Sequence, residues 1–286
     1  MKSFDEQLAH LVSEALQEDL GDGDHSTLSS IPAGKKGKAV LKIKQAGILA
    51  GLAVAEKIFR MVEPAVVFTP HKKDGDSMLP GETAFGVEAT IHTILSCERL
   101  VLNCMQRMSG IATLTHRYTE KLKGCHTRLL DTRKTTPNFR LLEKEAVRIG
   151  GGVNHRFGLY DMIMLKDNHI DYCGGLEPAI NAAYAYAVRM EQPLKIEVET
   201  RSLDDVRKVC EIGQGKVFRI MLDNFTTAQV AEALLLINHA FETEASGGIH
   251  LDTIEAYAAT GVDYVSVGGL IHQAQSLDLS LKAVLV

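Results

Sequence analysis

Residues 131–169 read DTRKTTPNFRLLEKEAVRIGGGVNHRFGLYDMIMLKDNH, and this stretch does most to decide the fold. An apolar run at 129–130 directly precedes it, and it contains a triple glycine and a second apolar run at 162–165; each of these features is followed by positive charge. Cations that recur where buried strands are expected to end indicate a site for a small ligand carrying several negative charges. Five cationic side chains occupy these positions: Arg133, Lys134, His155, Arg156 and Lys166.

Apolar runs recur through the second half of the chain, and helical patterns lie between most of them. Ser202 is expected to begin one of these helices, and Thr226 with Gln229 to cap another. Apolar strands that alternate with helices predict a parallel sheet covered by helices. The runs lie at 129–130, 162–165, 194–198, 217–222 and 264–267.

Polar or glycine residues follow nearly every apolar run, and this favours a closed α/β barrel over an open doubly wound sheet. All strand ends of a barrel face one mouth, whereas an open sheet uses only those at its switch point. The chain has no GxGxxG or GxxxxGK[ST] phosphate loop that would support the open sheet. We therefore expect a barrel with fewer than eight obvious strands.

The first hundred residues predict an α+β lobe. Ser3 with Glu6 forms a capping-box pattern ahead of a helix. Alternating runs at 39–44 and 84–91 predict strands of an antiparallel sheet that is exposed on one face. A long helix is expected from about Cys97 to Lys121, with an interruption near Gly110.

Composition excludes several broad classes. The net charge of -5 in 286 residues argues against general binding to nucleic acid or acidic membrane. No segment resembles a membrane span or a signal peptide. Five cysteines without a CxxC pair fit free thiols in a reducing cytoplasm better than a disulfide or zinc framework.

Acidic and glycine-rich strand ends add candidates for a second part of the site. Glu197 and Glu199 share one face of a regular strand unless a bulge separates them. Asp223 ends another strand and suits Mg2+ or ribose hydroxyls, with a helix cap as the alternative. Glycine pairs at 244–249 and 266–270 suit a phosphate, although glycines also form turns. His272 is either a partner of this phosphate site or an idle surface residue.

The chain resembles the decarboxylating quinolinate phosphoribosyltransferases of NAD biosynthesis over nearly its whole length. The resemblance implies an amino-terminal α+β open sandwich domain at 1–110 and an incomplete α/β barrel of about seven strands at 111–270. It also implies a tail at 271–286 that packs back on the first domain. The motifs that carry it lie at 98–113, 131–137, 150–159, 165–169, 196–199, 222–224, 244–249 and 266–272.

The resemblance also implies roles for individual residues. The five cations named above would hold the two carboxylates of quinolinate, and Arg99 would reach in from the partner subunit of a homodimer. Glu199 and Asp223 would contact the ribose of phosphoribosyl pyrophosphate and Mg2+, directly or through water, and we favour Glu199 over Glu197. Its 5′-phosphate would lie against Ser246, Gly247, Gly248, Gly268 and His272. The residues expected to act in catalysis are Lys134, Lys166, Glu199 and Asp223.

Other functions remain open from the residues alone. A sister phosphoribosyltransferase with another acceptor, such as nicotinate, would have the same fold. Nicotinate has only one carboxylate, however, and would leave some of the five cations of the site without a partner. A barrel that only binds an anionic metabolite would be stabilised by its ligand and form no product. A barrel aldolase would use Lys166 as its Schiff-base lysine. The chain departs from the resemblance at a few places: Asn138 stands where the family commonly has glycine, the turn at 21–27 has a less usual His-Ser, and extra residues occur around 211–216.

Overall fold

The computed structural model describes residues 3–190 and 193–284. The chain divides into two compact units. This division places residues 135–151, which we assigned to the barrel, in the first unit. The first unit comprises Met1–His116, Thr135–Gly151 and Leu270–Val286, and the second comprises Arg117–Lys134 and Gly152–Gly269.

Helices and strands alternate along most of the described chain. Up to residue 121 the elements are α1 (Phe4–Leu20), α2 (His25–Ser30), β1 (Lys36–Ile43), β2 (Gly47–Ile48), α3 (Leu52–Val62), β3 (Val67–Pro70), β4 (Ser77–Met78), β5 (Thr83–Thr90) and α4 (Ile91–Lys121). Those that follow are β6 (Arg128–Leu130), α5 (Arg140–Ile149), β7 (Ile163–Leu165), α6 (Asp167–Tyr172), α7 (Leu176–Ala187), β8 (Ile196–Thr200), α8 (Leu203–Ile212), β9 (Arg219–Asp223), α9 (Thr227–Ile237), β10 (Glu242–Ser246), α10 (Ile254–Ala258), β11 (Tyr264–Ser266), α11 (Gly269–His272) and β12 (Leu279–Val284).

The first unit contains an antiparallel sheet in the order β12-β1-β5-β3. Leu41 and Ile43 on β1 are fully buried, whereas Lys42 between them is half-buried. The predicted alternation is therefore confirmed. The carboxyl-terminal strand β12 pairs with β1, with Leu281 opposite Leu41.

Helix α4 runs without a break from Ile91 to Lys121, so the predicted interruption near Gly110 is wrong. Gly110 is needed for packing rather than for ending the helix. A Cβ atom there would lie 2.0 Å from the carbonyl oxygen of Gln275 in the same unit. Because glycine has no Cβ atom, the two backbone segments can come into contact. Its low helix propensity destabilises α4 slightly, and the close packing offsets that cost.

The second unit contains a parallel sheet in the order β6-β11-β10-β9-β8-β7. Strand β8 is buried at all five positions, as expected of a sheet covered on its outer side by helices. The two edge strands are β6 and β7, and in the described residues they do not pair. A single parallel bridge joins Leu130 to Val153 on the free side of β6, where a seventh strand would begin. Among the described residues the sheet has six paired strands and is not closed, so the closed barrel favoured from the strand ends is not formed. The incomplete α/β barrel implied by the resemblance is confirmed.

The predicted helix starts are also confirmed. Ser3 and Glu6 form a capping box at α1. The hydroxyl of Ser202 accepts the N–H of Asp205 at the start of α8, and Thr226 with Gln229 forms a capping box at α9. Across residues 3–190 and 193–284, no helix is both long and apolar enough to cross a membrane.

The substitution Gly110→Ala tests the close packing of α4. We expect it to lower the free energy of unfolding by about 1–3 kcal/mol or more, because the added methyl group meets backbone rather than a movable side chain. Urea unfolding of both proteins measures the difference. Gly86→Ala is the control, since its nearest neighbour would be the His71 ring at 3.7 Å. Equal stability of the two variants would contradict this role for Gly110.

Candidate active site

Most of the predicted site residues lie at one edge of the parallel sheet in the second unit. Because the strands are parallel, their carboxyl ends share this edge. Arg133 and Lys134 follow β6, His155 and Arg156 follow the bridge at Val153, and Lys166 follows β7. At the ends of the remaining strands lie Glu199 (β8), Asp223 (β9), Ser246, Gly247 and Gly248 (β10) and Gly268 (β11).

Lys166 and Glu199 form an ion pair at this edge. The Lys166 Nζ lies 2.8 Å from the Glu199 Oε2. The ammonium group is about half exposed, whereas the carboxylate side chain is only 8% exposed. The backbone N–H of Lys166 is donated to the Nδ1 of His169. Lys166 is therefore held by a nearly buried acid, and its side chain is exposed enough to contact a ligand.

Asp223 lies beside this ion pair and carries a raised pKa. Burial is the larger cause, and the negative charge of Glu199 adds to it, while Lys166 opposes both. The side-chain amide of Asn224 donates to the Asp223 carboxylate at 2.7 Å. The alternative that Asp223 caps a helix is not observed, because the cap of α9 is Thr226. Two carboxylates that repel each other at the ends of neighbouring strands suit a divalent cation or hydroxyl donors.

Arg133 and Arg156 place two guanidinium groups near each other. Burial lowers the pKa of Arg156, and the positive charge of Arg133 lowers it further. Arg156 donates to the carbonyl oxygen of Met162 at 3.3 Å. Lys134, in contrast, is exposed, and its backbone N–H is donated to the Thr132 hydroxyl. Cationic side chains that lie close together repel each other. An anionic ligand bound between them would offset this repulsion, so the arrangement suits such a ligand.

His155 lies in a buried network of opposite charges. Its side chain is 5% exposed, and its Nε2 lies 3.0 Å from the Glu197 Oε2 and 3.2 Å from the Glu244 Oε2. Both glutamate side chains are fully buried. Arg219 reaches them from β9, with its Nη1 3.1 Å from the Glu244 Oε2 and 3.8 Å from the Glu197 Oε2.

The charges of this network act on one another. Burial lowers the pKa of His155, but the two carboxylates outweigh burial and raise it to about 9. Burial and the charge of Glu244 raise the pKa of Glu197, whereas His155 and Arg219 keep the pKa of Glu244 below its usual value despite its burial. The ligand atoms of His155, Glu197 and Glu244 are close enough to surround a metal ion. Arg219 already supplies positive charge there, so we interpret the cluster as an ion network.

The two acids on β8 therefore have different surroundings. Glu197 faces the buried network, and Glu199 faces Lys166 at the sheet edge. This arrangement agrees with the preference for Glu199 as the acid that contacts a ligand.

The glycines of the site serve both conformation and packing. Gly247 and Gly248 have φ values of +91° and +64°, which favour glycine. A Cβ atom on Gly247 would lie 2.2 Å from the Asn224 Oδ1. Gly150 caps α5, and a Cβ there would lie 2.5 Å from the carbonyl oxygen of Ala112, so this glycine serves packing within the first unit. Gly268 directly precedes the short helix α11.

Two predicted residues lie in the first unit. Arg99 is exposed on α4, and His272 is exposed at the end of α11. Asn138 also lies there and has a φ of +62°. Asparagine tolerates this left-handed conformation better than most residues, which explains how it can replace a glycine.

Sequence reasoning missed Arg219 and gave no role to Glu244. Arg219 is a charged residue inside the apolar run at 217–222, and such residues are rarely buried without a partner of opposite charge. Glu244 lies in the polar segment 242–246 and gives no such signal, and the partner of each residue lies on a different strand.

Comparison with known proteins places the chain in a family. Residues 24–109 and 111–282 match the models of the quinolinate phosphoribosyl transferase N-terminal and C-terminal domains. A quinolinate phosphoribosyltransferase [decarboxylating] of Nicotiana tabacum is 42% identical over 96% of this chain and 82% of its own length.

Two bacterial proteins are similarly close. A probable nicotinate-nucleotide pyrophosphorylase [carboxylating] of Bacillus subtilis is 42% identical over 98% of this chain and 94% of its own length. The crystal structure of NadC from Streptococcus pyogenes superposes with a TM-score of 0.91 at 40% identity, and covers 99% of this chain and 98% of that one. On this evidence, the chain belongs to the quinolinate phosphoribosyltransferase family.

Proposed function

We propose that the protein transfers the phosphoribosyl group of phosphoribosyl pyrophosphate to the ring nitrogen of quinolinate. The products are nicotinate mononucleotide, pyrophosphate and carbon dioxide. The observation that carries the proposal is the group of cations at one sheet edge, beside the Lys166–Glu199 pair and Asp223. Because the chain belongs to the quinolinate phosphoribosyltransferase family, we assign quinolinate as the ligand of this anion site.

Quinolinate carries two adjacent carboxylates, and the cations of the site are numerous enough to bind both. Arg133 and Arg156 supply planar guanidinium groups that can grip a carboxylate with two hydrogen bonds. Lys134 and Lys166 supply ammonium groups that adapt to the second carboxylate. The ring nitrogens of His155 face the buried acids and the Arg156 backbone, so His155 would support the site from behind rather than contact a carboxylate of the substrate. A substrate with one carboxylate would leave part of this charge uncompensated.

Phosphoribosyl pyrophosphate would lie toward the acidic and glycine-rich strand ends. Glu199 and Asp223 would contact the ribose hydroxyls and hold Mg2+, directly or through water, and their mutual repulsion fits a cation between them. When bound, Mg2+ would stabilise the charge of the departing pyrophosphate. The 5′-phosphate would be bound by Ser246, Gly247, Gly248, Gly268 and His272.

The reaction needs positioning more than a protein nucleophile. The quinolinate nitrogen attacks the anomeric carbon of ribose as the bond from that carbon to pyrophosphate breaks. The carboxylates of Glu199 and Asp223 would stabilise positive charge on the ribose. The ring nitrogen is then cationic, so the adjacent carboxylate leaves as carbon dioxide and its electron pair stays on the ring carbon, which takes a proton from solvent. Arg133, Arg156 and Lys166 hold the ring in place for both steps.

The proposal includes a homodimer in the cytoplasm. Arg99, which is exposed on α4, would enter the site of the partner subunit. The cytoplasmic location is supported by cysteines that are all free thiols in the structure.

Product analysis tests the reaction directly. Purified protein is mixed with phosphoribosyl pyrophosphate, Mg2+ and either quinolinate or nicotinate. We expect nicotinate mononucleotide and an equal amount of carbon dioxide from quinolinate, and no mononucleotide from nicotinate, because one carboxylate cannot satisfy the cations. Turnover of nicotinate alone would show a sister enzyme with another acceptor. Ligand-dependent stabilisation without any product would show a binding protein.

Removal of single cations tests the quinolinate site. Arg133→Ala and Lys166→Ala are each expected to lower kcat/KM for quinolinate by about 100-fold or more, since each removes a charge-assisted contact with the substrate. Lys208→Ala is the control, because Lys208 is an exposed lysine on α8, away from the strand ends. Circular dichroism checks that the fold survives. Near-wild-type activity of either site variant would exclude that residue from the site.

Mixing of subunits tests the homodimer. Arg99→Ala and Lys166→Ala are each expected to be inactive alone. When the two variants are mixed and allowed to exchange subunits, mixed dimers contain one intact site, so activity should return to a sizeable fraction of the wild type. No recovery, although subunit exchange is demonstrated, would show that Arg99 does not act across subunits.

A further inference from the structure

The buried network around His155 lies directly behind the substrate-facing residue Arg156. Glu244 and Glu197 both contact the Nε2 of His155, at 3.2 and 3.0 Å. The opposite edge of the same ring contacts the next residue along the chain. The His155 Nδ1 accepts the backbone N–H of Arg156, with 2.6 Å between the two nitrogens. One imidazole ring thus joins the buried acids to the backbone of Arg156.

The backbone on the other side of His155 is fixed as well. The backbone N–H of His155 is donated to the Asp131 carboxylate at 2.8 Å. Two successive N–H groups of a loop are therefore bound by side chains rather than by a regular strand or helix. A rotation of the His155 ring would break its contacts with the acids and with Arg156 together.

Arg156 needs to be held in place, because its surroundings do not favour its charge. Its guanidinium is partly buried, and Arg133 repels it, as the lowered pKa of Arg156 shows. Within the described residues, its guanidinium donates a hydrogen bond to the Met162 carbonyl oxygen at 3.3 Å. A loop that could shift would let the guanidinium move toward water and away from the sheet edge.

We propose that Glu244 is a positioning residue for Arg156, because it holds the Nε2 edge of His155 while the Nδ1 edge of the ring fixes the Arg156 backbone. The inference rests on the proposed function, in which Arg156 binds a carboxylate of quinolinate. Glu197 supplies the second contact at Nε2, and Arg219 supplies the positive charge that keeps both acids buried. Glu244 itself does not touch the substrate.

The proton on Nε2 is common to both charge states of His155. The carboxylates of Glu197 and Glu244 favour the doubly protonated ring, whereas the Arg156 N–H at Nδ1 favours the neutral ring. Nε2 carries a proton and lies close to both acids in either state, but Nδ1 can accept the Arg156 N–H only when the ring is neutral. The positioning contact therefore belongs to the neutral ring. The charged groups that surround the ring are Glu197 from β8, Arg219 from β9, Glu244 from β10, and Asp131 and Arg156 from the neighbouring loops.

Glu244→Gln tests the proposal, because it keeps the shape of the side chain and removes its charge. At a pH at which the His155 ring is neutral in both proteins, we expect the KM for quinolinate to rise about tenfold, because the charge that holds Nε2–H is lost, with kcat changed by less than about threefold and the KM for phosphoribosyl pyrophosphate unchanged. Glu242→Gln is the matched control. It lies on the same strand, and its Oε2 is 2.8 Å from the Arg219 Nη2, so Glu242 pairs with Arg219 whereas Glu244 lies against the His155 ring. Equal effects of the two variants, or no effect of Glu244→Gln, would overturn the proposal.

Nitrogen-15 NMR of the histidine rings provides a readout that needs no substrate. The His155 signals are assigned from their loss in His155→Gln. In the wild type we expect Nε2 to be protonated throughout the titration. The pH at which Nδ1 takes a proton should be lower in Glu244→Gln and unchanged in Glu242→Gln. A wild-type ring that is protonated at Nδ1 and not at Nε2 would overturn the proposal, even if Glu244→Gln does not fold.

The two readouts separate the proposal from the function on which it rests. If the wild type does not convert quinolinate but the NMR results are as expected, the proposed function fails and the contact between Glu244 and His155 stands. If the wild type converts quinolinate but the ring signals do not respond to Glu244→Gln, the function stands and the positioning role fails.

Discussion

The contact between two buried carboxylates and two buried cations, inside the parallel sheet, constrains the rest of the second unit. Glu197 and Glu244 lie on strands that flank β9, and Arg219 on β9 reaches both. A buried carboxylate costs several kcal/mol unless it is paired, so the strands must keep their register for the charges to meet. The same acids hold His155, which follows the bridge beside β6. This network therefore connects the interior of the sheet to the edge where a substrate would bind.

The different contacts of Glu197 and Glu199 on β8 follow from this constraint. Glu197 and Glu199 lie two residues apart on one strand, so their side chains point to the same face of the sheet. Glu197 lies in the buried network, and Glu199 lies closer to the carboxyl end of the strand. The deeper acid neutralises His155 and Arg219, and the outer acid pairs with Lys166 beside Asp223. In the proposed function, an anionic substrate would thus meet cations that are already supported from behind by acids. The site can hold a high density of positive charge in a protein with a net charge of -5.

The sequence pattern was sufficient for features that depend on local periodicity. Apolar runs, caps such as Thr226 with Gln229, and cations after strand ends each leave a short signature, and the structure contains them all. The sequence pattern was insufficient where contacts with distant segments determine the role of a residue. Gly110 suggested a break in α4 because its neighbour Gln275 is far along the chain. Arg219 and Glu244 went unassigned for the same reason, since each acquires its partner only when the strands align. The helix α5 also followed the strand–helix alternation but belongs to the first unit.

The central claim is that the sheet edge binds two carboxylates of one small molecule. Calorimetric titration of the wild-type protein with quinolinate, pyridine-2-carboxylate and pyridine-3-carboxylate tests it without any turnover. Each charge-assisted hydrogen bond contributes about 1.5–3 kcal/mol, so quinolinate should bind about 100-fold more tightly than either monocarboxylate. Equal affinities for quinolinate and one of the monocarboxylates would contradict the account, because the cations that are meant for the second carboxylate would then contribute nothing.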